Sequence, residues 1–221
     1  MTKRKLQRFE ELKTLQRVYQ YPYFRLSEIP GLKGNWNKTV FNRQAPIVLE
    51  LGCGRGEYTI GLSKNDDSKN YIGLDIKGAR LWRGAKTANE EQLLHVAFLR
   101  TSIEHLHEFF TVGELTEIWL TFPDPQPPLV REKKRLTHYR FLTAYKELLK
   151  PGGLLHLKTD DKQFFEYSIE SLKSFKGDLI FQTNDLYSQP PPGFDLEIQT
   201  TYELKFLADN KKIHFLTFCF D

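Results

Sequence analysis

The stretch Ile47-Val48-Leu49-Glu50-Leu51-Gly52-Cys53-Gly54-Arg55-Gly56 decides the fold of this chain. Its first five residues form a short apolar run, the pattern of a strand buried on both faces, and the run empties into a loop with glycine at every second position. Alternate glycines let the main chain turn tightly and approach a ligand with no side chain in the way, so Gly52, Gly54 and Gly56 are the expected cofactor loop. The spacing differs from the G-x-G-x-x-G that seats a dinucleotide pyrophosphate on a helix N-terminus; a nucleoside ligand without phosphate suits this looser loop better. Tyr71-Ile72-Gly73-Leu74-Asp75 reads as a second strand ending in a carboxylate. Asp75 is placed to accept hydrogen bonds from ribose hydroxyls, although a nicotinamide dinucleotide would use a carboxylate there too. Glu50, just ahead of the loop, is placed either to orient its amides or to receive a cationic group of the ligand. A bare tight turn is the plainer reading of the glycines; the strand, Asp75 and the order of elements that follows weigh against it.

Working outward, strands and helices alternate. Val96 to Leu99 is a third strand, and Thr101-Ser102-Ile103-Glu104 has capping-box spacing, which predicts a helix carrying Leu106, Phe109 and Phe110 inward. Ile118 to Phe122 is a fourth strand, stopped by Pro123. Phe141, Leu142, Tyr145, Leu148 and Leu149 recur with helical period until Pro151-Gly152-Gly153, after which Leu154 to Thr159 returns to strand. A helix over about 162–174 and strands at Leu179 to Thr183 and Ile213 to Phe220 complete the series. Repeated βα units of this kind predict an α/β fold of Rossmann-like type, a mostly parallel twisted sheet with helices on both faces. Ligands in such sheets bind beyond the carboxyl ends of the strands at the switch point, and every motif singled out here lies at such an end.

The chain has 221 residues, 40% of them hydrophobic and 27% charged, enough for one large core. No apolar run approaches the roughly 20 residues that span a bilayer, so the expectation is a cytoplasmic protein with no membrane partner. Two cysteines and six scattered histidines show no metal-ligand spacing, and neither a disulfide nor a metal is expected. The net charge of +4 is concentrated: Lys3, Arg4, Lys5, Arg8, Lys13, Arg17 and Arg25 stand against only Glu10 and Glu11 in residues 1–25. A basic arm on a nearly neutral body points to a polyanion, since such contacts gain by releasing counterions; a solubilising tail is the plainer alternative. The expected organisation is residues 1–40 as basic arm and lead-in and 41–221 as one domain. Trp82, Trp119 and most phenylalanines read as core rather than as stacking platforms for bases.

At the end of the fourth strand stands Thr121-Phe122-Pro123-Asp124-Pro125-Gln126-Pro127-Pro128, followed by Arg131-Glu132-Lys133-Lys134-Arg135-Leu136-Thr137. Flanking prolines fix φ and stiffen the chain around Asp124, which places a carboxylate at the pocket mouth. Together with Leu149-Lys150-Pro151-Gly152-Gly153, Lys158-Thr159-Asp160 and Thr200-Thr201-Tyr202-Glu203-Leu204-Lys205-Phe206, these pieces resemble the tRNA (guanine-N7)-methyltransferase family, over residues 45 to 206. The resemblance implies a class I methyltransferase fold, S-adenosylmethionine as cofactor, and methyl transfer to N7 of a variable-loop guanine of tRNA. It implies that Glu50, Asp75, Thr101 and Asp124 line the cofactor site, Asp124 also being catalytic. Asp160, Thr200, Thr201, Tyr202 and Glu203 are then the guanine-binding positions.

N7 of guanine carries an in-plane lone pair and no proton, so its attack needs no general base. On the opposite edge the N1-H and the N2 amine are donors that suit carboxylates, for which Asp160 and Glu203 are the candidates. The target base must leave its stack, with the N-terminal arm and Arg131 to Arg135 holding the backbone. The chain departs from the family pattern where Gln126 replaces a Trp, where Pro128, Leu129 and Val130 replace a basic run, and where Thr101 replaces an Asp. A dehydrogenase, a methyltransferase for another substrate and a non-catalytic RNA-binding protein on this fold are the competing readings. Monomer and homodimer are both open.

Overall fold

A computed structural model describes residues 3–21 and 31–221 as one eight-stranded sheet wrapped by helices; Arg25 of the basic stretch lies outside the described residues. The strands are β1 (Val18–Gln20), β2 (Ile47–Leu51), β3 (Asn70–Leu74), β4 (Val96–Arg100), β5 (Leu115–Thr121), β6 (Leu149–Thr159), β7 (Gly177–Thr183) and β8 (His214–Phe220). The helices are α1 (Lys3–Leu12), α2 (Glu57–Asn65), α3 (Gly78–Glu90), α4 (Leu106–Phe109), α5 (Tyr139–Leu148), α6 (Lys162–Leu172) and α7 (Thr201–Ala208). The sheet order is β1-β4-β3-β2-β5-β6-β8-β7. Every pairing is parallel except those of β8, which runs antiparallel to both β6 and β7. Chain order reverses where β2 pairs with β5, so the switch point lies at the carboxyl ends of these two strands.

Because the inner strands are buried on both faces, alternate residues feed two cores. Ile47, Leu49 and Leu51 of β2, Ala97 and Leu99 of β4 and Ile118 and Leu120 of β5 face the side covered by α4, α5 and α6. Val48, Val96, Phe98 and Trp119 face the side covered by α1, α2 and α3. Glu50 therefore points, with Val48, toward α2.

The structure departs from expectation at several points. Residues 3–20 are not separate from the domain: β1 extends the sheet beside β4, and α1 lies on α3, where Trp82 Nε1 donates to Glu11 at 2.5 Å and the Arg8 guanidinium sits 4.8 Å over the Trp82 ring. Trp36 fills the other core, stacked on Phe110 and donating to the Phe109 carbonyl at 2.8 Å, so residue 40 is no packing boundary. Ser102, not Thr101, caps the turn at 103–105, accepting from the Glu104 amide. Pro151-Gly152-Gly153 does not sit between helix and strand; α5 ends at Leu148, and these residues bulge within β6 against Leu115 and Glu117 of β5.

Candidate functional site

The glycine loop joins β2 to α2 at the switch point. Gly52, Gly54 and Gly56 all have positive φ, 71°, 56° and 70°. A Cβ on Gly52 would meet nothing within 4 Å, and on Gly54 only the Gly52 carbonyl at 3.9 Å, so this side of the loop is an open cradle. Gly56 does a different job. A Cβ there would stand 2.6 Å from Phe98 Cε1 and 3.1 Å from the Gly84 Cα, because α3 presses its own glycine against the back of the loop. Asp75 holds the front: one carboxylate oxygen accepts from the Gly54 amide at 2.9 Å and the other from the Lys77 amide at 2.7 Å.

Glu50 is 2% exposed. One oxygen accepts from the amide and hydroxyl of Thr59 on the first turn of α2, and the other from the Thr121 hydroxyl at the end of β5 at 2.5 Å. It ties together the three elements that meet at the switch point, through Thr59 and Thr121 rather than through the amides of the glycine loop. Burial pushes its carboxyl up from 4.5 to about 7, against the lowering hydrogen bonds of Thr121 and Thr59. A folded-state pKa above the unfolded one means that the native state binds the extra proton, so this group's stability is full below pH 4.5 and is lost as pH rises through 7. Urea unfolding should register a loss of about 3 kcal/mol across that interval. Glu50→Gln should flatten that slope, and a slope identical in both proteins would assign it to other groups.

Beside the loop lies a cavity of about 480 Å³, within the range of small-molecule sites. Gly52, Asp75 and Thr101 stand on one side, Ile76, Ile103 and Phe141 supply apolar walls, and Lys133 and Lys134 stand at the mouth. Thr101 is fully buried, and its Oγ1 has no hydrogen-bond partner among the described residues. A buried hydroxyl without a partner costs free energy unless a ligand satisfies it. Open glycine cradle, carboxylate, apolar walls and orphan hydroxyl together fit a nucleoside: sugar at Asp75, flat base between the apolar side chains, a polar edge at Thr101.

The loop after β5 is held at both ends. The Phe122 amide donates to the Lys158 carbonyl at 2.7 Å, and Phe122 and Gln126 take left-handed φ of 49° and 47°. Asp124 is exposed between them and accepts from the Gln126 amide at 3.0 Å.

The C-terminal segment departs most from expectation. Thr200 and Glu203 form a capping box at the start of α7, and Glu203 is fully buried. Its carboxylate pairs with the equally buried Lys158 ammonium at 2.7 Å and accepts from the Tyr187 hydroxyl at 2.9 Å. Glu203 is thus turned into the protein, with no exposed oxygen to offer a base, and Lys158 is the partner that sequence reading overlooked. Thr201 donates its amide, at 2.8 Å, and its hydroxyl to Glu57, the first residue of α2, which fastens α7 to the glycine loop. Asp160, at the end of β6, pairs with Lys211 at 2.6 Å and retains partial exposure, and Tyr202 is half exposed on the first turn of α7. Glu57 and Thr59 carried no motif of their own, and Lys158 stood within Lys158-Thr159-Asp160 with nothing to mark it as the partner of Glu203; the T-x-x-E spacing of a capping box was the available signal for α7.

Among the described residues no cluster of three or more His, Cys, Asp or Glu is arranged to hold a metal ion, and no helix is long and apolar enough to cross a membrane. Residues 44–216 match the family model described as "Putative methyltransferase". The fold is shared with the crystal structure of the 16S rRNA methyltransferase KamB, at a TM-score of 0.64 and 13% identity, over 83% of this chain and 92% of that one. The class is that of the α/β methyltransferases. The tRNA (guanine-N(7)-)-methyltransferase of Christiangramia forsetii is 44% identical over 219 residues, 98% of each chain. That of Porphyromonas gingivalis is 45% identical over 212 residues, 94% of this chain and 86% of the relative. This chain belongs to the tRNA (guanine-N(7)-)-methyltransferase family.

Proposed function

We propose that this chain transfers a methyl group from S-adenosylmethionine to N7 of a guanine in tRNA. The observation that carries the reading is the meeting, at one switch point, of an open glycine loop, the Asp75 carboxylate and the orphan Thr101 hydroxyl, with the Asp124 loop beside them. Gly52, Gly54 and Asp75 hold the sugar and amino-acid end of the cofactor, and Thr101 satisfies its hydroxyl on the base. When bound, the cofactor supplies a methyl group on a cationic sulfur.

The protein's part is placement and electrostatics. N7 needs no proton removed, so positioning supplies much of the rate. Asp124 faces the positive charge that the guanine ring gains and stabilises it without taking a proton. Asp160 is the carboxylate available to the guanine N1-H and N2 amine, one oxygen being held by Lys211. Tyr202 offers a ring face to the base, and Thr200, Thr201 and Glu203 hold that turn in place rather than touch the base. Lys133 and Lys134 meet the phosphates. The cytoplasm is the compartment that this activity assigns.

Purified protein, unmodified tRNA and methyl-labelled S-adenosylmethionine should yield labelled 7-methylguanosine by nucleoside mass spectrometry. Asp75→Ala should weaken cofactor binding about tenfold or more, the scale of one hydrogen bond to a charged group, and leave tRNA affinity unchanged. Label in another nucleoside would redirect the substrate assignment, and intact cofactor binding in the variant would remove Asp75 from the cofactor site.

A further inference from the structure

We propose that Leu129 and Val130 form an apolar wedge that enters the base stack of the tRNA and keeps the target guanine out of it. The inference rests on the methyl-transfer reading above. Leu129 is 81% and Val130 90% exposed, and neither contributes to either core. The chain beneath them is braced. Pro127 and Pro128 fix φ, and Arg135 donates to the carbonyls of Gln126 and Pro127, both at 3.4 Å, while its guanidinium lies 4.3 Å over the Tyr167 ring.

What surrounds the tip identifies its occupant. Asp124 stands at the base of the same loop, and the 3-10 turn Leu129–Lys134 that carries the tip also carries exposed Arg131, Lys133 and Lys134, the last two at the cavity mouth. An apolar point flanked by cations matches a polyanion whose interior is stacked bases. Aliphatic side chains such as Leu enter base steps in this way, and phosphates on either side engage the basic residues. A base drawn into an enzyme pocket leaves a gap that must be paid for in lost stacking, and a wedge beside the pocket fills it. A second copy of this chain fits poorly, since three cations would face three cations.

The test is Leu129→Ser/Val130→Ser, two exposed positions whose change should leave urea unfolding and cofactor affinity as in wild type. On unmodified tRNA kcat/KM should fall about tenfold to a hundredfold, while a short single-stranded oligoribonucleotide bearing the same guanine should be methylated equally by both proteins. Where the oligonucleotide is no substrate, 2-aminopurine beside the target guanine decides: its fluorescence should rise when wild type binds and not when the variant does. Equal rates on tRNA, an equal loss on both substrates, an equal fluorescence rise, or a wild-type dimer that the variant dissolves would each overturn the wedge. Wild type that methylates no tRNA would instead overturn the functional reading, and the wedge with it.

Discussion

Lys158→Met is expected to lower the free energy of unfolding by about 3 to 5 kcal/mol, the cost of breaking a buried ion pair from one side. The methionine fills the lysine's volume, between the rings of Tyr58 and Phe194, but leaves the Glu203 carboxylate fully buried and facing no cation. Removing both charges with Lys158→Met/Glu203→Leu should restore most of the loss, because well-packed apolar side chains commonly replace a buried pair at little net cost. Urea titration of wild type, both single variants and the double variant closes the cycle. Additive losses would mean that the pair is not coupled. The experiment also fixes the part played by the T-x-x-E signature. A Glu203→Gln protein as stable as wild type, but slow only on tRNA, would return that carboxylate to the guanine.

The second large effect concerns Asp124. Asp124→Ala should cost about a hundredfold to a thousandfold in turnover, the range for removing one preorganised electrostatic group facing developing charge. Stability should change by no more than about 0.5 kcal/mol, as for other exposed positions. The alanine also loses the bond from the Gln126 amide that shapes the loop, so Asp124→Asn is the necessary companion. Asparagine keeps that acceptor and drops the charge. If it turns over at the wild-type rate, Asp124 is a loop residue and the charge-stabilising role passes elsewhere; single-turnover methylation of tRNA gives the answer directly.

Most of the sheet was legible because buried parallel strands advertise themselves as short, predominantly apolar runs. The run into Gly52, the carboxylate after β3 and the proline after β5 mark the switch point in the sequence itself. β1 escaped because three residues carry no period, and its strand state is conferred by the edge of β4. Trp36 and the α1 residues escaped for a related reason: a basic sequence advertises its charges and hides its packing, as Arg8 over Trp82 illustrates. The site was half legible. Glycines and Asp75 announce themselves by spacing, but the inward turn of Glu203 depends on Lys158, forty-five residues away in sequence and buried at the end of β6. A motif records that a carboxylate is required and is silent on which way it faces.

The contact between Gly56 and Gly84 bears on how natural variation in this chain is to be interpreted. Gly84 belongs to an ordinary amphipathic helix by sequence, and a change to serine or alanine there would pass as conservative, even as helix-favouring. Yet a Cβ at Gly84 would come 2.7 Å from the Arg55 carbonyl, so the substitution pushes on the glycine loop from behind without altering one of its letters. Allele surveys that score only the G-x-G-x-G signature will count such sequences as intact, and Gly84 belongs in the signature as its fourth, non-contiguous glycine.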